Sequence, residues 1–382
     1  MAVACSLTNP KESHVEKKTI RIGMIGVGQI AQYHIGNYSK IEGAQVVAAA
    51  DINAALLERV AKTHNVPNTY ADFHKMLERD DIDAVDVCLH NNLHTPATVA
   101  AFEAGKDVYC EKPMAGSYTD AERMMKTARD LGRKLSIQLS TLFTPTTRAA
   151  RLLIEEGHLG KIYHARSTGF RRLGRPYVDG YGSAAFVKKE VAAGGALYDM
   201  GVYHISQVLY LLGNPAIERI SGKTYQETPV DAKRHKESGY DVEELGMGFV
   251  RLGGGLSLDI IESWAVHMDG FEGSSVFGSA GGVRLDPFGF YHRIGDLIVD
   301  SKIDLGAASY RWLNVHGVGD VFDSPQHHWI AALQGRVKLL PTAELALNTM
   351  LISEGIYLSD KLGCEVNADE VRKMSKSTAV KI

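Results

Sequence analysis

The 382-residue chain has little cysteine, no long apolar run and no strong excess of charge of either sign. Its four cysteines, Cys5, Cys88, Cys110 and Cys364, are scattered and never form a CxxC pair. That spacing argues against a disulfide framework and suits free thiols in a reducing compartment. No apolar stretch approaches the ~20 residues needed to cross a bilayer. The start, Met1-Ala2-Val3-Ala4-Cys5, is apolar but too short for a signal-peptide core and soon runs into Lys and Glu. Residues 1–18 are therefore expected to form a flexible leader, and the protein to be cytoplasmic. The formal net charge is −3 with no long basic stretch, so neither nucleic acid nor a membrane is an expected partner. Short basic pairs such as Lys188-Lys189 read as a solvated helix face. Metal is not expected either: His327 and His328 are adjacent, so they point apart on a helix. There is no internal repeat and no low-complexity tract.

What is present is a rhythm. From residue 19, short apolar runs alternate with longer amphipathic segments. Strands are predicted at Thr19–Ile25, Gln45–Ala50, Ala84–Leu89, Asp107–Cys110 and Lys134–Leu139, with helices at Gly28–Ser39, Ala54–His64, Thr95–Ala104 and Thr119–Leu131 between them. Strands buried on both faces and separated by helices predict a doubly wound parallel sheet over residues 19–142. After about residue 143 the rhythm changes. A helix at Thr146–Glu156, a long strand at Lys161–Phe170 and a helix at Gly195–Leu212 precede several strand-like segments, among them Asp241–Arg251, Leu256–Trp264 and Phe271–Phe277. Consecutive strands without long crossovers pair mostly antiparallel. Helices at Gln326–Gln334 and Thr342–Leu362 close the chain. Residues 143–382 thus read as an α+β domain on one open, mostly antiparallel sheet, serving substrate binding and oligomerisation.

The first strand runs into Gly26-Val27-Gly28-Gln29-Ile30-Ala31, a G-x-G-x-x-A pattern opening a helix. The first glycine permits the tight turn, the second lets the backbone approach a pyrophosphate, and Ala31 allows close helix–strand packing. Glycine turns between strand and helix are common, so the string alone is weak. Its context strengthens it, because Asp51 ends the next strand about 20 residues on. A carboxylate there accepts the adenosine ribose hydroxyls and repels a 2′-phosphate, favouring NAD over NADP. The bland alternative for Asp51 is a helix N-cap.

Together with Gly26–Ala31, the segments His90-Asn91-Asn92-Leu93-His94 and Glu111-Lys112-Pro113 have a recognisable form. The chain resembles the glucose–fructose oxidoreductase / inositol dehydrogenase (Gfo/Idh/MocA) family over nearly its whole length. The spacing from His94 to Glu111, the stretch Gly194–Tyr203 and the closing segments Gln326–Gly335 and Pro341–Val366 are also similar to the family's pattern. The resemblance implies a Rossmann domain and an NAD site formed by Gly26, Gly28, Gln29, Ile30, Asp51, Leu89, Asn91, His94, Glu111 and Lys112. It also implies that Lys112 lies beside the nicotinamide, often with a cis bond to Pro113.

Oxidising a secondary alcohol needs a base for the hydroxyl proton while the hydride leaves the same carbon. Lys112 follows a strand end at the edge where open α/β sheets bind ligands. Desolvation there would lower its pKa; alternatively it stays charged and polarises the hydroxyl. Taken alone, it would be read as a solvated lysine. Asp199 and Tyr203 are four apart, hence on one helix face. By the resemblance Tyr203 is the acid/base, with Lys112 lowering its pKa, and Asp199 holds a substrate hydroxyl or the lysine. Tyr203 could instead be a core aromatic. His204, about 100° further round the helix, is the rival acid/base.

The sequence departs from the family at His90, in place of a usual Pro, and at Ser140-Thr141-Leu142-Phe143, where an Arg is common. Arg171, Arg172, Tyr177, Trp264 and His267 are candidate sugar-pocket residues. The expected function is an NAD-dependent dehydrogenase acting on a sugar, glycoside or cyclitol hydroxyl. Two readings compete with it: an enzyme that keeps NAD bound and recycles it, and a non-catalytic dinucleotide-binding sensor. An uncovered sheet face points to a homodimer or homotetramer.

Overall fold

The computed structural model describes residues 18–315 and 319–382. The expected leader therefore lies outside the described residues, apart from Lys18.

Strands β1 (Ile20–Ile25), β2 (Ala44–Ala50), β3 (Asn68–Tyr70), β4 (Ala84–Val87), β5 (Asp107–Cys110) and β6 (Leu135–Ile137) form one sheet in the order β3-β2-β1-β4-β5-β6. All its pairs are parallel. This is the doubly wound Rossmann topology, and its order reverses between β1 and β4. Helices α1 (Gln29–Tyr38), α2 (Ala54–His64), α3 (Phe73–Leu77), α4 (Asn91–Glu103) and α5 (Tyr118–Asp130) make the connections. Strand β4 is buried at every position, as a parallel strand covered on both faces must be. The short β3 and α3 were not expected from the sequence. Strand β3 has only three half-exposed or exposed residues, so it offers no apolar run to read.

The second sheet has nine strands: β7 (Ile162–Phe170), β8 (Ile217–Tyr225), β9 (Leu245–Leu252), β10 (Leu256–Ser263), β11 (Ser275–Gly278), β12 (Gly281–Leu285), β13 (Phe288–Ile294), β14 (Leu297–Ser301) and β15 (Val366–Asn367). Their order is β14-β13-β12-β11-β7-β10-β9-β8-β15, antiparallel throughout except for the parallel β7–β10 pair. The strand expected at Phe271–Phe277 contracts to Ser275–Gly278. Gly273, just before it, sits so close to Asp286 that a Cβ would meet the Asp286 carbonyl oxygen at 2.1 Å. The expected helix at Gly195–Leu212 begins instead as a π-helical turn, Leu197–Gly201, and continues as Val202–Leu211. Such turns often mark functional sites.

The helices Val202–Leu211 and Thr342–Leu362 cover one face of this sheet, where Ile220, Val250, Leu258 and Ile260 are buried. The other face presents Tyr225, Met247, Phe249 and Phe277 as exposed side chains. Among the described residues no helix is long and apolar enough to cross a membrane.

Candidate active site

The turn after β1 has the geometry its glycines require. Gly26 adopts φ +86°, and a Cβ there would lie 2.4 Å from the Cys88 carbonyl oxygen. Gly28 differs: nothing lies within 4 Å of where its Cβ would be. Gly28 is the N-cap of α1, makes no side-chain cap and is followed by a first turn without acidic residues. The open N–H groups of that turn suit an anion such as a pyrophosphate. Ala31 is fully buried, as close packing demands.

Asp51 braces the same turn. One carboxylate oxygen accepts the Val27 N–H at 2.9 Å and the other the Asn53 N–H at 2.8 Å. The N-cap of α2 is Asn53, whose side chain accepts from Leu56, so the N-cap reading of Asp51 is corrected. The turn, the open approach at Gly28 and a partly exposed carboxylate at the end of β2 together fit a dinucleotide.

Beyond the turn lies a cavity of about 390 Å³ lined by Gln29, Ile30, Leu89, Asn91, Glu111, Lys112, Asp199 and Tyr203, among others. The Lys112–Pro113 bond is cis. Lys112 Nζ donates to Asp199 Oδ1 at 2.8 Å and to the Asp199 backbone oxygen at 3.1 Å. It also lies 4.8 Å from the centroid of the Tyr203 ring. The second oxygen of Asp199 accepts Trp264 Nε1 at 2.9 Å and Arg171 Nη1 at 3.3 Å. Burial alone would raise the Asp199 carboxyl, but Lys112, Arg171 and Trp264 outweigh it and hold the group below the ordinary carboxylate range. A carboxylate with three donors is a clamp rather than a base.

Burial pulls the Lys112 ammonium down, yet Asp199, Tyr203 and Glu111 push it further up, and the net direction is upward. The lowered-pKa alternative for Lys112 is thereby corrected, and the lysine stands here as a fixed cation. For Tyr203, burial raises the phenol and Lys112 opposes it; burial prevails, so the net direction is also upward. Lys112 therefore restrains the rise in Tyr203 without reversing it.

Other predicted residues are placed differently. His204 turns from the cavity to the buried Glu262 of β10, with Nδ1 2.9 Å from the carboxylate. Gly169 makes room for this pair, since a Cβ there would meet Glu262 at 2.0 Å. His94 is fully buried, its ring nitrogens facing the carbonyls of Pro113 at 2.8 Å and Leu89 at 3.1 Å. It braces the two segments that carry Leu89 and Lys112 and does not line the cavity. Asn91 donates to the Ala192 carbonyl at 2.8 Å, linking the two sheets' domains. His90 lines the cavity with its ring edge toward Phe186. Thr141, at the corner lacking the family's arginine, donates to the Tyr203 carbonyl at 2.9 Å. Arg172 and His267 are exposed and outside the lining, and Tyr177 donates to Glu237.

Sequence reasoning missed the outer wall, formed by Pro176, Tyr181, Phe186 and Val191. This stretch lacks strand or helix periodicity, and only its aromatics hinted at a pocket. It also missed the buried group His34, Asp86 and Cys88 beneath Glu111.

Residues 20–139 match the family described as "Oxidoreductase family, NAD-binding Rossmann fold", and residues 147–284 match the "GFO/IDH/MocA C-terminal domain". The chain is 30% identical over 368 residues to the D-glucoside 3-dehydrogenase of Escherichia coli (strain K12), covering 93% of this chain and 99% of that protein. It is 26% identical over 227 residues to the levoglucosan dehydrogenase of Pseudarthrobacter phenanthrenivorans, covering 56% and 57%. A solved levoglucosan dehydrogenase in complex with NADH superposes with a TM-score of 0.78 at 20% identity, covering 92% of this chain and 99% of that one. With both halves matched and a near-full-length relative, the chain belongs to the GFO/IDH/MocA family of oxidoreductases.

Proposed function

We propose that this protein is an NAD-dependent oxidoreductase that interconverts a secondary hydroxyl and a keto group on a sugar, glycoside or cyclitol. The near-full-length likeness to a D-glucoside 3-dehydrogenase makes glucosides the first substrates to try. The observation that carries the reading is one juxtaposition. Lys112, from the nucleotide-binding half, meets Asp199 and Tyr203, from the other half, in a cavity that also touches Gln29 and Leu89 at the cofactor turn.

NAD, when bound, supplies the hydride acceptor for oxidation, or the donor for reduction in its reduced form. Gly26, Gly28 and the start of α1 would hold its pyrophosphate, and Asp51 would accept its adenosine ribose hydroxyls. Tyr203 takes the hydroxyl proton in oxidation and returns it in reduction. Lys112, kept charged by Asp199, stabilises the tyrosinate and polarises the reacting oxygen. Arg171 and Tyr181 meet the remaining hydroxyls, because forked donors and aromatic faces suit polyols. His204 has no part in the proton step, since its Nδ1 is committed to Glu262 on the other side of the helix.

The test is absorbance at 340 nm with NAD and a panel of glucosides, free sugars and cyclitols. Turnover that is lost in Tyr203→Phe supports the reading. No change with any of them, by a protein that binds NAD, overturns it in favour of a sensor. We also read the exposed face of the nine-stranded sheet, with Met247 and Phe249, as paired with a second copy of the chain.

A further inference from the structure

Beneath the catalytic lysine lies a buried chain of ionisable groups that the proton step does not use. His34, on α1, has no exposed surface and stands between two carboxylates. Its Nδ1 is 2.9 Å from Asp86 Oδ2, and its Nε2 is 3.0 Å from Glu111 Oε1, the latter an ion-pair contact rather than a well-aligned hydrogen bond. Asp86 also accepts from the Tyr38 hydroxyl at 2.8 Å and from the Cys88 thiol at 3.3 Å. The other Glu111 oxygen accepts the backbone N–H of Lys112 at 2.9 Å.

The contacts of His34 bear on its charge. Asp86 accepts from Tyr38 and Cys88 and faces His34 Nδ1, while Glu111 accepts from Lys112 and faces Nε2, so a ring protonated on both nitrogens fits between the two carboxylates. His34 is then an imidazolium. With that charge on His34, the series Asp86, His34, Glu111, Lys112, Asp199, Arg171 alternates negative and positive from strand β4 to the cavity. The groups facing His34 are Asp86, Cys88, Glu111 and the rings of Tyr33 and Tyr109, with Tyr38 bonded to the same Asp86. Burial lowers its pKa, but Asp86 and Cys88 push it the other way and the net direction is well upward, in line with those contacts.

His34, Asp86 and Cys88 are also the donor types of a metal site. That reading is weaker. The ring nitrogens and the carboxylate are already engaged with each other, and burial drives the thiol pKa up, away from the thiolate a metal needs.

We propose that His34 is a positioning residue: from between Asp86 and Glu111 it holds Glu111 in place, and through Glu111 it fixes Lys112 against Asp199 and Tyr203. The inference rests on the reading of Lys112 given above. It adds that α1, whose N-terminus receives the pyrophosphate, also carries the group that anchors the lysine. His34 balances the Glu111 charge as well. Without it, the negative field at Tyr203 would strengthen, since Glu111 already acts to raise that phenol.

The experiment has two arms. The first uses the resting protein: long-range ¹H–¹⁵N spectra of histidine-labelled wild type and Glu111→Gln at pH 8. The expected result is a doubly protonated His34 in wild type that loses a proton in Glu111→Gln. A neutral, single-tautomer His34 in wild type overturns the inference whether or not any sugar is turned over. The second arm compares steady-state kinetics of wild type, His34→Gln, Glu111→Gln and the double variant across pH. His34→Gln should lower kcat roughly tenfold with the sugar KM little changed, and move the alkaline limb of oxidation upward by about one pH unit. The double variant should return the limb toward wild type, because both charges are gone. Loss of packing alone would not be rescued by a second substitution. A His34→Gln enzyme with wild-type kcat and an unmoved limb overturns the inference while leaving the proposed reaction intact. A wild type inactive on every sugar overturns the reaction, and the spectra alone then decide the His34–Glu111 contact.

Discussion

Lys112 and Asp199 are 87 residues apart in the chain, yet Nζ and Oδ1 meet at 2.8 Å with both side chains largely buried. The pair joins the nucleotide-binding half to the second half at the point where the chemistry is proposed. It is also the reason Lys112 keeps its charge in a desolvated site: the carboxylate more than offsets the cost of burial. Asp199→Asn should therefore free the lysine and lower kcat by about 10- to 100-fold, with NAD affinity little changed. Fluorescence titration with NADH alongside turnover checks it.

Tyr203→Phe removes the proton carrier while keeping the ring beside Lys112. Turnover should fall by about 10²- to 10⁴-fold with the melting temperature preserved. His204→Ala should keep most of its turnover, because His204 faces Glu262. If the losses are reversed between these two variants, the acid/base assignment moves to His204.

The pH dependence follows from the direction of the Tyr203 shift. Oxidation requires the tyrosinate, and burial holds the phenol above its ordinary value, so kcat/KM for oxidation should rise with pH into the alkaline range. Reduction requires the phenol and should decline over the same interval. Lys112→Met removes the cation that restrains Tyr203, so the limb of any residual activity should move to higher pH. A limb unmoved by Lys112→Met would detach the lysine from the proton step.

The two glycines of the cofactor turn should separate folding from binding. Gly26→Ala forces a side chain onto the Cys88 carbonyl at positive φ, and it should cost ~1–3 kcal/mol of stability. Gly28→Ala meets open space, so the melting temperature should change little. Its methyl group would nonetheless occupy the approach of the pyrophosphate, and NAD affinity should fall. Thermal melts and calorimetric titration distinguish the two effects.

His328 is buried and its pKa is pushed down to about 4 by burial, from 6.5. Its Nε2 accepts the Leu340 N–H at 3.0 Å, which requires the neutral ring. A group depressed in the folded state binds more protons when unfolded. Stability from His328 is therefore complete above pH 6.5 and is lost as pH falls toward 4, by about 1–3 kcal/mol. His328→Gln keeps an acceptor and should flatten that part of the stability profile, measured by denaturant unfolding between pH 4 and 7.

The proposed pairing of sheet faces is checked by light scattering at micromolar concentration, where a dimer or tetramer is expected. Phe249→Asp should shift the population toward monomer, and a wild-type monomer would refute the pairing.

Much of this protein follows from local patterning. The spacing of Gly26, Gly28 and Ala31, with Asp51 at the end of the next strand, dictates the cofactor turn because each residue answers a backbone requirement within one strand–turn–helix unit. The buried runs of the first half dictate a parallel sheet for the same reason: their period is visible over a few residues. Tertiary structure alone decided which groups meet. That Asp199 clamps Lys112, that His204 turns to Glu262, that His34 supports Glu111 and that residues 176–191 wall the cavity are contacts between distant segments. Charge and hydrogen-bond pairing leave no periodic trace along a chain, so only packing in three dimensions selects the partners.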